Sequence, residues 1–534
     1  MKRIRFLTND TKPVFSNDEA EQLKELDVSD VLEIYRENRA ELAGDPFCPK
    51  YHFVAPVGYL HDPNGLCFWR GKWHLFYQHV YEENTADGLS GSSICWGHVV
   101  SDDLIHWTDL PDAIYPGPDI SCWSGAVLVE EDRVIAAYYG LYSGIVVAVS
   151  SDPLLLNWEK YGTVIPERDA DGNPVPFPVY DPCIFKEGKY YYILSGGAEY
   201  DEKTKHNHRQ TFLLRSEDLR NWEYRHPFIE NDNYGGVGDD GSCPYFIDIG
   251  EKEDGRKLYI HFSHISGSAY AIGEFDGERE KFTVLGGGKF SSGHWSGGGP
   301  HAPSCYPDGK GGAVVIFNMN RPSLSYFPIM SLPETIKLTG PGKNEADIDV
   351  AESVHSLRGR RTEAAPRVIK AGETFLPDGF SGDCIELRLE AKIGYHKALE
   401  LNVLRSPDAK EYANITVFRS GGTTNPDLKD PAVLESGQNT IVTADASHVG
   451  LAGDGARTIR PPEVCAVPLT EGENVVLDVF IDKCILEVFV NGKRSLLQSV
   501  YPSPEGRGVS VSALGGDAEI VSLDMWEMKS YHEK

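Results

Sequence analysis

The 534-residue chain has no run of about 18 apolar residues, so no segment is long enough to span a membrane as a helix. Its start, MKRIRFLTNDTKPVF, is basic but lacks the apolar stretch of a secretory signal. Basic residues are scarce: 51 Lys and Arg stand against 80 Asp and Glu, a net charge of −29. Such a surface repels phosphate backbones and anionic lipid, so neither nucleic acid nor membrane is an expected partner. The ten cysteines are scattered and none forms a CxxC pair. Free thiols in a reducing cytoplasm are the simpler account of them, and a cytoplasmic protein is expected. His206 and His208 form an HxH with no further ligand at suitable spacing, so no metal site is expected. There is also no phosphate-binding glycine loop leading into a helix, no G-x-S-x-G elbow and no H-E-x-x-H. No metal or organic cofactor is expected.

What is present is a soluble globular composition, 41% hydrophobic and 25% charged, in a chain too long for one ordinary core. Residues 17–43 carry apolar positions at helical spacing among Glu, Lys and Arg, which predicts a helical lead-in over residues 1–47. From about Tyr51 to Met330 the chain becomes rich in glycine, aromatics and turns, and it repeats. A strand-turn-strand unit recurs five times, marked by Pro63, Gly125, Pro182, Pro244 and Pro303 at steps of 62, 57, 62 and 59 residues. A second marker lies between them: SDDLIHW at 101–107, SDPLLLNW at 151–158 and SEDLRNW at 216–222, a turn followed by a Trp that can wedge between sheets. Five units of this kind predict a five-bladed β-propeller over 48–340. The first residues of the units, Asp62, Ser124, Asp181, Ser242 and His301, then stand at one end of the central channel. Residues 341–365 read as a polar linker. Residues 366–534, with period-two alternation and an Asn491-Gly492 hairpin signal, predict a β-sandwich. The fold class is therefore all-β, and flat sandwich faces leave a homodimer open.

Asp62 lies in HDPNG, whose bland reading is a turn. Yet the repeat places it across the channel from Asp181, in a region rich in Trp, Tyr and Phe. Two carboxylates facing one aromatic-lined pocket suit glycoside cleavage, in which one group attacks the sugar and an acid protonates the leaving oxygen. YHFVAPVGYLHDPNGLCFWRGKWHLFYQHV resembles the opening of glycoside hydrolase family 32, the invertases, inulinases and other β-fructofuranosidases. WGHVVSDDLIHW, CWSGAVLV, YDPCIF, SLPETIKL and DVFIDKCILEVFVNGKRSLLQSVYP resemble its later segments, from about residue 50 to the end of the chain. The resemblance implies a five-bladed propeller followed by a β-sandwich. It implies a retaining hydrolase with Asp62 as nucleophile and Asp181 as stabiliser of the transition state. Asn64, Gln78, Trp96 and Ser124 would line the sugar pocket, with Trp123 beside them and a small oligosaccharide as substrate; a turn residue is an equal reading of Asn64, and interblade core an equal reading of Trp96.

Three positions depart from the family pattern together. The glutamate expected before Cys243 is Ser242, the arginine expected before Asp181 is Tyr180, and the asparagine expected before Asp62 is His61. A serine hydroxyl is far too weak an acid to replace a glutamic acid. Asp239 and Asp240 lie just upstream, in a stretch loosened by Gly235, Gly236 and Gly238. Asp240 is the expected acid, with Asp239 behind it and His61 or His301 as further proton donors. A solvated turn is the alternative reading of the Asp pair. Tyr180, Ser242 and His301 join the expected substrate-binding set. Loss of the arginine leaves open a furanosyl unit other than plain terminal fructose. Fructosyl transfer and a furanoside-binding protein without activity are the alternatives to hydrolysis.

Overall fold

Each of the five repeats forms an antiparallel, four-stranded blade. The computed structural model describes residues 2, 4, 6–81, 94–236, 238–263, 268–290, 299–319, 328–340, 342–419, 439–450, 461–470 and 472–532. Blade 1 is Tyr59–Trp69, Lys72–Val80, Ile94–Ser101 and Thr108–Ile114, paired in that order. Its first hairpin turns through Arg70 and Gly71, both at positive φ (46° and 84°), as a two-residue turn of matching twist requires. Blade 2 runs from Cys122–Val129 to Glu159–Pro166, and blade 3 from Pro182–Glu187 to Glu223–Pro227. Blade 4 begins with Tyr245–Glu251 and gains a short parallel strand, Ile229–Glu230, on its outer edge. Blade 5 runs from Pro300–Pro307 to Glu345–Val350. The first strand of each blade packs against the first strands of its two neighbours, and that of blade 5 against that of blade 1, so the ring closes.

The recurring Ser-Asp turn does what its residues allow. Asp103, Asp152 and Asp218 each accept backbone N–H groups two to five residues on. Leu104, Leu155 and Leu219 take left-handed φ of 73°, 53° and 64°. Trp158 and Trp222 then close the turn by donating Nε1–H to the carbonyls of Leu155 and Leu219. Trp107 and Trp158 are buried in the cores of the first two blades.

The lead-in is two helices, Glu19–Asp27 and Asp30–Leu42, capped by Asp18 and Ser29. Leu26, Leu32 and Tyr35 bury against Val57, Tyr81 and Leu110 of blade 1, and Arg39 grips Asp109 with two hydrogen bonds of 2.9 and 2.7 Å.

The expected linker at 341–365 is corrected by the structure. Glu345–Val350 is the outer strand of blade 5, Glu352–Leu357 is a short 3-10 helix, and Arg358–Ala364 is already a sandwich strand beside Ala518–Met528. The sandwich has a seven-stranded sheet and a six-stranded sheet, whose facing aliphatic side chains form one core.

Candidate active site

The inner strands present their first residues at one mouth of the channel, and they do so through irregularities. In blade 1 the register slips between Leu60 and Pro63, around His61 and Asp62. In blade 2 it slips between Cys122 and Gly125, around Trp123 and Ser124. In blade 5 it slips between His301 and Ser304. Such bulges re-aim side chains that a regular pleat would alternate between faces.

Asp62 is held from three blades. Its Oδ2 accepts a 2.7 Å hydrogen bond from Ser124 Oγ, which itself accepts one of 2.6 Å from Gln78 Nε2. Its Oδ1 accepts a 3.1 Å bond from Asn318 Nδ2, on the strand paired with His301. Asp181 opens blade 3 and is buried. Its Oδ2 lies 3.3 Å from both the amide nitrogen and the Sγ of Cys243, at the entrance of blade 4. The same Sγ is 3.4 Å from Asp62 Oδ2, so one thiol spans the two carboxylates. Asp181 Oδ1 has no hydrogen-bond partner, and no Lys or Arg among the described residues pairs with it. Burial, then the nearby Asp62 charge, with a lesser push from Asp240, raises its carboxyl to about 7 against the lowering contacts from Cys243. Burial and both carboxylates push the Cys243 thiol well up, which keeps it a donor.

The loop that delivers Cys243 is tightly constrained. Gly241 has φ +67°, and a Cβ there would stand 2.1 Å from the Gly197 carbonyl oxygen. Cys243 itself sits at φ +45°, a strained value for a residue with a side chain. Asp240 is exposed on this loop. Its Oδ1 accepts both the amide of Ser242 at 3.1 Å and its hydroxyl at 2.7 Å. Asp239 is turned elsewhere. It is fully buried, accepting from Gly241 N and from Ser263 Oγ at 2.7 Å, in the seam where Arg209 meets blade 4.

An aromatic wall runs beside the carboxylates. Trp123 meets Tyr139 edge-on at 6.0 Å, and Tyr139 meets Tyr180 at 5.1 Å. Burial and the neighbouring Asp181 push the Tyr180 phenol well up. His61 lies against Tyr59, and His301 is buried with Nδ1 3.3 Å from the Gly299 carbonyl. Trp96 takes the interblade-core reading of the two left open by the sequence. It has no exposed surface, packs on Phe76 and Tyr138, and donates Nε1–H to the Trp123 carbonyl at 2.8 Å. It braces the wall from behind, between Phe76 of blade 1 and Tyr138 of blade 2. Asn64 is buried beside it. With its amide oriented to satisfy both ends, it takes the Trp96 indole at 3.3 Å and gives to the Pro63 carbonyl at 3.2 Å.

Three residues of this cluster were not anticipated: Cys243, Asn318, and Tyr139, which lies between Trp123 and Tyr180 in the wall. Cys243 is signalled by its place directly after Ser242. Asn318 has only a weak signal, its position in the strand opposite His301. His206 and His208 lie on the blade 3 hairpin, and among the described residues no group of three or more His, Cys, Asp or Glu is placed to hold a metal ion. Among the described residues no helix is long and apolar enough to cross a membrane.

Comparison with known proteins agrees with this architecture over the propeller and the sandwich. The levanase of Bacillus subtilis is 24% identical over 534 residues, covering 91% of this chain and 71% of its own. The sucrose-6-phosphate hydrolase of Escherichia coli is 24% identical over 518 residues, covering 91% and 96%. The crystal structure of fructan 1-exohydrolase IIa from Cichorium intybus superposes with a TM-score of 0.70 at 20% identity, covering 91% of this chain and 98% of that one. Residues 52–344 match the family model for the glycosyl hydrolases family 32 N-terminal domain, and residues 353–527 match that for the family 32 C-terminal domain. On these matches, which span both the propeller and the sandwich, the chain belongs to glycosyl hydrolase family 32.

Proposed function

We propose that the protein is a retaining glycosidase that cleaves β-fructofuranosidic, or closely related furanosidic, bonds in short oligosaccharides. The observation that carries this reading is the placement of Asp62: a carboxylate held from three blades, one thiol's reach from a second buried carboxyl. Retaining glycosidases need two carboxyl groups about 5–5.5 Å apart. Two oxygens touching one sulfur at 3.3 and 3.4 Å are compatible with that separation.

In this mechanism Asp62 Oδ attacks the anomeric carbon while the leaving oxygen takes a proton, giving a fructosyl ester. Water, deprotonated by the same acid, then attacks that carbon and frees Asp62. Ser124, Gln78 and Asn318 fix the nucleophile's orientation. The Trp123, Tyr139 and Tyr180 wall offers flat faces to the sugar. The proton donor is a carboxyl other than the family glutamate, whose place Ser242 takes. Asp240 is the candidate read from the sequence. Ten cysteines outside any disulfide support a cytoplasmic setting, which suits short imported substrates better than polymers.

The test is sugar release by wild type and Asp62→Asn from sucrose, short inulin- and levan-type oligosaccharides, and arabinofuranosides. Fructose released by wild type and lost in the variant, by roughly 10⁴-fold or more, is the expected result. The absence of Ser242's acidic counterpart favours one other reading, binding without cleavage. No release from any substrate, with fructose still raising the melting temperature, would establish that reading instead.

A further inference from the structure

Resting on the reading above, we propose that Asp181 is the proton donor of this chain, with Cys243 as the bridge that seats its carboxyl beside the nucleophile. Ser242 cannot protonate a leaving group, and its hydroxyl is already given to Asp240. Asp240 stands on the exposed rim, committed as acceptor to both donors of Ser242. Asp181 differs in each respect. It is buried, its Oδ1 is unpartnered, and its Oδ2 shares a thiol with Asp62.

Asp62 is half-buried and Asp181 buried, and two carboxyls at this range resist ionising together, so the pair holds one proton. Its location follows from the donors. Asp62 receives Ser124 Oγ–H and Asn318 Nδ2–H, the surroundings of an ionised carboxylate. Asp181 receives only the backbone amide and thiol of Cys243, and the residue before it is Tyr180 rather than a cation. The upward shift of the Asp181 carboxyl agrees with this assignment. The titratable groups that face it are Asp62 from blade 1, Tyr139 from blade 2, its own neighbour Tyr180, and Cys243 and Asp240 from the entrance of blade 4.

The step balances. As Asp62 Oδ bonds to the anomeric carbon, the glycosidic C–O bond breaks and its electron pair takes the Asp181 proton. In the second half the ionised Asp181 removes a proton from water, the water oxygen bonds to the anomeric carbon, and the Asp62 ester opens. Asp181 is then protonated and Asp62 ionised, as at the start.

The experiment compares wild type, Asp181→Asn and Asp240→Asn on two substrates across pH. One has a sugar leaving group. The other is 4-nitrophenyl β-D-fructofuranoside, whose phenolate leaves without a proton. On the sugar substrate Asp181→Asn is expected to lose roughly 10²–10⁴-fold in kcat/KM, and on the aryl substrate about tenfold or less. Wild-type kcat/KM on the sugar substrate should fall as pH rises through about 7, a limb that the variant lacks. Equal losses on both substrates would assign Asp181 to holding the sugar and overturn the proposal. So would Asp240→Asn showing the selective loss. If wild type cleaves no fructoside, it is the hydrolase reading that fails, and an infrared band decides the protonation alone. A carboxylic-acid stretch at pH 6 that vanishes in Asp181→Asn but persists in Asp240→Asn supports the assignment, and its absence in wild type refutes it.

Discussion

Asp181 at the channel mouth and Asp482 in the seam between propeller and sandwich are both buried carboxyls, and they are partnered in opposite ways. In the seam, Asp482 Oδ1 accepts the amide of Lys50 at 2.7 Å, and its Oδ2 accepts the amides of Tyr51 and His52 at 2.8 and 2.9 Å. The His52 ring lies 2.9 Å from Asp482 and 3.3 Å from Glu487, which also accepts the amide of Leu332. Both oxygens of Asp482 are answered by donors from the other domain, so it ties strand ends 430 residues apart in sequence, while Glu487 keeps one oxygen unpartnered beside Glu334. At the mouth, Asp181 has one oxygen unanswered and a like charge as its neighbour. Burial with donors stabilises a fold. Burial without them stores free energy that a reaction can release.

The sharpest way to break this contrast is to remove an acid from each side. Asp482→Ala strands three amides, two of them buried, and an imidazole, and is expected to cost about 3–5 kcal/mol by denaturant unfolding while leaving the mouth's geometry intact. A cost under about 1 kcal/mol would mean that the seam is not held by these bonds.

The seam should also respond to pH. Burial opposes charging of His52, but its hydrogen bonds to Asp482 and Glu487 prevail and raise it to about 9. A raised histidine contributes stability that is full below its ordinary value of 6.5 and fades as pH climbs through about 9. The melting temperature of wild type should therefore decline over that window, and that of His52→Gln should decline less.

Asp181→Asn is expected to do the reverse of Asp482→Ala. A carboxyl raised from 3.8 to about 7 destabilises the fold as pH rises through that interval, because the folded state holds its proton longer. The variant should be more stable than wild type by about 0.5–2 kcal/mol above pH 7, with the gain gone near pH 4. A loss of stability at pH 8 would show that Asp181 is a structural acid like Asp482.

The mouth was legible in part. Five spaced markers located the five inner strands, so Asp62, Ser124, Asp181 and His301 could be placed together before any coordinates. Cys243 and Asn318 were not legible as site residues, because their contacts cross blades and depend on bulges that no period in the sequence records. Trp96 was legible only as a choice between pocket and interblade core, and its packing on Phe76 and Tyr138 decides for the core. The 341–365 stretch hid two strands. EADIDV buries only every second residue over six positions, and RGRRTEA is a charged edge strand, the composition that keeps an open sheet edge from pairing further.

One measurement bears most directly on the nucleophile: mass analysis of peptides from enzyme denatured by acid during turnover of 4-nitrophenyl β-D-fructofuranoside. The account predicts a single hexosyl adduct on the peptide carrying Asp62, absent in Asp62→Asn. An adduct on any other residue, or turnover that yields the inverted anomer with no adduct, would contradict it.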